Sequence, residues 1–211
     1  ASSDGLLAVG GDLSQERLLV AYRMGIFPWF SNDEPILWWS PDPRLVLYPR
    51  EINISKTLKK IIKKKVFTVT MDSAFGRVIN QCAQIRLENN QGTWIIEDMI
   101  DAYCKLHESG FAHSVEAWHE GELAGGLYGV SLGRCFFGES MFTRISNASN
   151  VALVTLVEYL NKLSFDMIDC QLTTKHLLRF GDREIPRIRF LKQLEESLKA
   201  PTKKGKWCFN P

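Results

Sequence analysis

The chain lacks any apolar run approaching the ~20 residues that a membrane-crossing helix needs. Its opening residues, ASSDGLLAVGGDL, have neither the basic n-region nor the long apolar h-region of a secretory signal, so a cytoplasmic protein without a membrane partner is expected. The five cysteines (Cys82, Cys104, Cys135, Cys170 and Cys208) are scattered, odd in number and form no CxxC pair. That argues against a disulfide framework and a zinc site. The four histidines show no HExxH spacing, and no metal is expected. No glycine-rich P-loop joins a strand to a helix, since GGLYGVSLG lies on an expected hairpin. Repeats and low-complexity segments are missing too. Acids are missing from one stretch: between Ile52 and Met71 there is none.

That same stretch holds six lysines, Lys56, Lys59, Lys60, Lys63, Lys64 and Lys65, on a chain of net charge +2. The remainder is therefore net −4 (2 − 6). A local basic patch on a near-neutral protein suits a specific polyanion, although a solvated helix face and a membrane surface are the alternatives. At 211 residues, 45% hydrophobic and 24% charged, the chain suits one large globular domain or one with a small appendage.

Residues 15–23 suit a helix, with Asp12 or Ser14 as its cap and Gly25 and Pro28 past its end. The proline- and tryptophan-rich SNDEPILWWSPDPRLVLYP suits extended strands and turns. ISKTLKKIIKKK places Leu58, Ile61 and Ile62 on one helical stripe with lysines elsewhere and Ser55 as the N-cap. Then come a strand (66–71), a helix (74–86), a polar loop (88–92) and an amphipathic helix (93–110). Strands near 113–119, 122–130 and 134–142, joined by short turns, pair antiparallel. A strongly apolar helix (147–164), a buried strand (165–172), a short helix ended by Gly181 and a last helix opened by Pro186 complete the chain. Meander, helix and returning strand make an α+β layout similar to the acetyltransferase superfamily, where the sheet splays and an acyl donor enters the gap.

Two strands carry polar groups on apolar faces. Alternation puts Phe165, Met167, Asp169 and Gln171 on one face, with Asp169 beside Gln171, where the carboxylate can accept from the amide NH₂ and leave the amide oxygen for an incoming amine. A satisfied structural pair is the bland alternative. In RCFFGESMFTR, Glu139 shares a face with Cys135, Phe137 and Met141, and Arg134 and Arg144 have the opposite parity. Glu139 needs a proton or a cation, either from a substrate or from a distant arginine such as Arg179 or Arg183. Trp29, Trp38 and Trp39 can stack on a nucleobase or fill a core. Cys170 and His176 make a weak thiol-nucleophile signal, on different elements with no orienting third group.

GLLAVGGDLS, YRMGIFPWF, PILWWSPDPR, GTW, GGLYGVSLGRCFFGESMF, SNAS, IDCQ and REIPR together closely resemble the leucyl/phenylalanyl-tRNA–protein transferase family, in collinear order through nearly the whole chain. The resemblance implies a small N-terminal domain (1–45) on an acetyltransferase-like, GNAT-type domain (46–211) with a mostly antiparallel, splayed sheet. It implies transfer of Leu, Phe or Met from tRNA to proteins with N-terminal Arg or Lys, marking them for degradation, by a bacterial cytoplasmic enzyme. Gln171 and Asp169 match the family's DCQ pair that acts on the attacking amine, and Glu139 matches the glutamate at the catalytic centre. Trp29 and Trp94 match tryptophans near the aminoacyl-adenosine. Leu127, Phe136, Leu156, Leu160 and Ile168 are candidates for the donor side-chain pocket, with Leu156 and Leu160 sharing a helix face. Lys56, Lys59, Lys60, Lys63 and Lys64 lie in the segment that meets the acceptor stem. An activated ester needs no cofactor, and a monomer is expected. A small-molecule acetyltransferase of the same fold is the rival, but MFTRISNAS lacks the Gly-rich pyrophosphate turn.

Overall fold

The computed structural model describes residues 5–89 and 93–208. Of the polar loop expected over 88–92, residues 90–92 lie outside the described residues. The chain begins with β1 (Leu6–Val9), α1 (Gln15–Arg23), β2 (Phe27–Pro28) and β3 (Leu37–Trp39). The three strands form an antiparallel sheet in the order β1-β3-β2. Ser14 caps α1 by accepting from the Arg17 N–H, while Asp12 accepts from the Ser14 N–H and pairs with the Arg17 guanidinium. This buries Leu18, Ala21 and Tyr22 on one helix face.

The rest comprises β4 (Arg44–Leu47), α2 (Lys56–Lys63), β5 (Thr68–Met71), α3 (Phe75–Glu88), α4 (Glu97–Glu108), β6 (Ala112–His119), β7 (Glu122–Leu132), β8 (Cys135–Thr143), α5 (Ala148–Lys162), β9 (Met167–Gln171), β10 (Arg183–Ile185) and α6 (Arg187–Leu198). Seven strands form one sheet in the order β10-β4-β9-β8-β7-β6-β5. It is mixed: β8 and β9 run parallel, and the other neighbours run antiparallel. The expected meander is β6-β7-β8, and β9 returns beside it after the α5 crossover. β4 straddles residues 45 and 46 and lies inside this sheet.

Both sheet faces are covered. Residues of α2 and α5 share a core with Leu127, Phe136 and Ile168. Residues of α1, α3, α4 and α6 share another with Val130, Phe137 and Met167. The first 45 residues are thus packed into the main core: Leu18, Tyr22, Phe27 and Trp38 join Val78, Tyr103 and Phe137.

Three expectations need correction. The helix expected from residue 93 begins at Glu97, because the Thr93 hydroxyl accepts from the Ile95 N–H and holds a local turn. The short helix before Gly181 is a 3-10 helix over Leu177–Phe180. Phe165 precedes β9 and packs in the α5-side core, opposite Met167, rather than sharing its face.

Candidate active site

The β8–β9 ladder joins Cys135 to Met167, Phe136 to Ile168 and Phe137 to Asp169, and then stops, although β8 continues to Thr143. A cleft of about 470 Å³ opens there. Its lining includes Trp29, Arg86, Trp94, Leu127, Phe136, Glu139, Met141, Leu156, Ile168 and Gln171.

Both strands bulge at the mouth of this gap. On β8, Gly138 pairs with Gly129 and Ser140 with Tyr128, which leaves Glu139 as the extra residue. On β9, Asp169 pairs with Val46 and Gln171 with Leu45, which leaves Cys170 extra. A bulge re-aims side chains and breaks the two-residue alternation. Cys135 and Phe137 accordingly pack on the α3–α4 side, whereas Met141 packs on the α5 side. The shared face expected for Glu139 and Met141 is therefore lost. Gly129 serves the β8 bulge directly, since a Cβ there would lie 2.2 Å from the Phe137 carbonyl oxygen.

Glu139 has neither Arg179 nor Arg183 as a partner; its partners are neutral donors. The Tyr22 hydroxyl donates to Oε1 at 2.7 Å, the Tyr103 hydroxyl to Oε2 at 3.0 Å, and Gln171 Nε2 to Oε1 at 2.9 Å. The two tyrosine hydroxyls also meet each other, and since the pair has two protons for the three contacts of this triangle, all three are filled only when the Glu139 carboxyl carries a proton. Burial raises the carboxyl pKa from 4.5 to about 7, and the three hydrogen bonds oppose that rise. Burial likewise pushes both phenols well up, so they remain donors.

The acid that orients the Gln171 amide is thus Glu139, not Asp169. Asp169 accepts from the Gln171 backbone N–H at 2.9 Å and takes Arg44 Nε and Nη2 at 2.8 and 2.7 Å. This ion pair is sealed, with side-chain exposures of 1% and 0%. The Arg44 guanidinium carbon lies 4.9 Å from the Phe27 ring centroid and 4.6 Å from that of Phe190. Gln171 itself has φ +62°, a left-handed conformation unusual for its type. The Asp169–backbone bond holds that turn. With Nε2 given to Glu139, the Gln171 amide oxygen is left to accept.

Trp29 and Trp94 meet edge to face at 6.1 Å. Trp38 is buried in the core, while Trp39 packs at 5.8 Å from Trp29 and donates Nε1–H to the Trp29 carbonyl. Of the pocket candidates, Leu127, Phe136, Leu156 and Ile168 line the cleft; Leu160 is fully buried behind it. Leu153, three residues before Leu156 on the helix, lines the cleft instead, as does Met141. The Cys170 thiol donates to Asp182, and burial pushes its pKa well up, which makes it a poor nucleophile. Lys56, Lys59, Lys60, Lys63 and Lys64 are all exposed on or beside α2, with Leu58 facing the core and Ser55 capping. Among the described residues no cluster of three or more His, Cys, Asp or Glu could hold a metal ion, and no helix is long and apolar enough to cross a membrane.

The profile of the leucyl/phenylalanyl-tRNA protein transferase family matches residues 46–195, and that of the family's N-terminal domain matches residues 11–42. The chain belongs to this family. Relatives bearing the name leucyl/phenylalanyl-tRNA–protein transferase include one from Desulforapulum autotrophicum, 57% identical over 99% of this chain and 91% of its own length. Another, from Syntrophobacter fumaroxidans, is 61% identical over 94% of this chain and 85% of its own. Among solved structures, L-PGS from Bacillus licheniformis matches at 12% identity and a TM-score of 0.45, over 92% of this chain and 64% of that one. The family's aminoacyltransferase character suits a site with an orienting acid, a polarised amide and an apolar cleft. Tyr22, Tyr103 and Arg44 were missed by the sequence reading. Only YRMG and WWSPDPR, inside quoted motifs, marked two of them.

Proposed function

We propose that the cleft takes the 3′ end of leucyl- or phenylalanyl-tRNA, with methionyl-tRNA as a further donor, and passes the aminoacyl group to proteins bearing N-terminal Arg or Lys. The product carries a new N-terminal residue that marks it for degradation. The observation that carries this reading is the Gln171 Nε2 to Glu139 Oε1 bond, which occupies the amide nitrogen and leaves the amide oxygen to accept in the apolar cleft that Gln171 lines. Leu127, Phe136, Leu156 and Ile168 suit an apolar donor side chain, and Trp29 and Trp94 suit an adenosine. The exposed lysines of α2 suit the acceptor stem. The stopped β8–β9 ladder supports the acetyltransferase-type splay.

The acceptor α-amine has a pKa of about 8, so roughly a tenth is neutral at pH 7. Its nitrogen attacks the ester carbonyl, the carbon–oxygen bond to the ribose breaks, and the amine proton goes to the departing ribose oxygen. The Gln171 oxygen accepts one N–H and orients the lone pair. Glu139, when ionised, attracts the cationic acceptor. Positioning and electrostatics suffice for an activated ester, so we assign no cofactor. We place the enzyme in the cytoplasm, as a monomer.

The test is transfer of labelled Leu from leucyl-tRNA to an N-terminal-Arg peptide, with Gln171→Ala as comparison. We expect Gln171→Ala to reduce turnover far more than tRNA binding; equal loss of both would reject the role. Retention on immobilised coenzyme A in place of transfer would favour the small-molecule acetyltransferase.

A further inference from the structure

Arg86 is the one Lys or Arg side chain among the described residues lining the cleft. It follows Cys82 and Ala83, both buried core positions of α3, by one helical turn, and this turn delivers it to the cleft end of the helix. Its guanidinium carbon lies 3.8 Å from the centroid of the Trp94 ring. Among the described residues it has no carboxylate within ion-pair distance. Glu88 of the same helix is taken by Arg144 through two hydrogen bonds. Arg86 is partly buried, and burial pulls its pKa down, yet a guanidinium stays charged at any working pH.

A half-buried cation in an apolar cleft is costly unless an anion meets it. Stacking on Trp94 uses the guanidinium face and leaves its N–H edges, whose fork matches phosphate oxygens. The bland account is that Arg86 favours the C-terminus of α3 and props Trp94. That account does not explain why the cation stands inside the cleft with no acid at ion-pair distance, Glu139 being taken by Tyr22, Tyr103 and Gln171.

We propose that Arg86 binds the phosphate that joins the donor's terminal adenosine to the preceding nucleotide. This rests on the reading that the cleft takes the 3′ end of aminoacyl-tRNA. In that end the phosphate is the anion nearest the ester, and Trp94, on which Arg86 stacks, meets Trp29 edge to face. Arg86 thereby sets the depth to which the aminoacyl-adenosine enters, and it discriminates a nucleotide chain from a free nucleoside ester.

The test compares two donors that differ by that phosphate: leucyl-adenosine, and the cytidylyl-(3′→5′)-adenosine leucyl ester. Arg86→Gln is expected to lower kcat/KM on the second about tenfold to a hundredfold and to leave the first unchanged. Arg86→Lys should retain part of the preference, as a point charge without the fork. With intact leucyl-tRNA, the salt slope of binding should fall by about 0.7 in Arg86→Gln, the single-strand value for one phosphate. Equal loss on both donors would make Arg86 a prop for Trp94 and overturn the proposal, as would an unchanged salt slope. Failure of the wild-type protein to transfer from intact leucyl-tRNA would instead remove the underlying reading.

Discussion

Replacing Glu139 by Gln separates the cost of the buried carboxylate from the use proposed for it. Burial raises its pKa from 4.5 to about 7. At 1.36 kcal/mol per unit, ionising this group is about 3 kcal/mol harder in the folded chain than in the unfolded one. The folded pKa is raised, so the sign is fixed: the stability is fully present below pH 4.5 and is lost as pH rises through about 7. In Glu139→Gln the amide oxygen can take the Oε1 place, accepting from Tyr22 and Gln171, while its NH₂ donates to the Tyr103 hydroxyl. No group titrates there. Urea unfolding of both proteins at a series of pH values gives the difference in stability, in which titrations common to both cancel. The variant should gain on the wild type by about 3 kcal/mol between roughly pH 4 and pH 8, while losing transfer activity. A difference that stays flat over that interval would show that Glu139 does not titrate where its burial puts it.

Three further outcomes follow from the same contacts. Tyr103→Phe removes a donor to the ionised carboxylate, so the acidic limb of kcat/KM against pH should move up by about one unit, and a uniform fall without movement would acquit Glu139 as the titrating group. Arg44→Met leaves the Asp169 charge sealed without its partner, which should cost about 3–5 kcal/mol in chemical denaturation, whereas a loss under 1 kcal/mol would contradict the sealed ion pair. Neutralising Lys59, Lys60 and Lys63 together should weaken all tRNAs alike and flatten the salt dependence of binding, and an unchanged slope would remove α2 from the interface.

The order of elements was legible because long periodic segments dominate it: the amphipathic helices, the meander and the apolar α5 all declare themselves by spacing. The short strands β1, β2 and β10 were not, since two to four residues carry no readable period. Glu139, Asp169 and Gln171 were identifiable as acids and an amide out of place on apolar strands. Their mutual arrangement was not. Strict alternation predicted Asp169 against the Gln171 side chain; the bulge at Cys170 and the left-handed Gln171 gave the amide to Glu139 instead. Parity correctly set aside Arg134 and Arg144, which pair with Asp166 and Glu88. It could not point to Tyr22 or Tyr103, because tertiary packing alone brings residues 117 and 36 positions away onto one carboxylate.

The two bulges explain why the first 45 residues matter to the chemistry. A left-handed glutamine costs on the order of 1–3 kcal/mol and persists only where its surroundings over-determine it. Here the restraint runs from the Gln171 N–H to Asp169, and from Asp169 to Arg44, which is clasped between Phe27 and Phe190. On the opposite strand, Glu139 at its bulge is held by Tyr22 from α1. Arg44, Phe27 and Tyr22 all come from the segment expected as the small N-terminal domain. Each bulge therefore has an anchor outside the meander–helix–strand core. Beyond Phe137 and Asp169 the β8–β9 ladder ends, and there the N-terminal residues hold Glu139 and Gln171 as a fixed acid–amide pair across the gap.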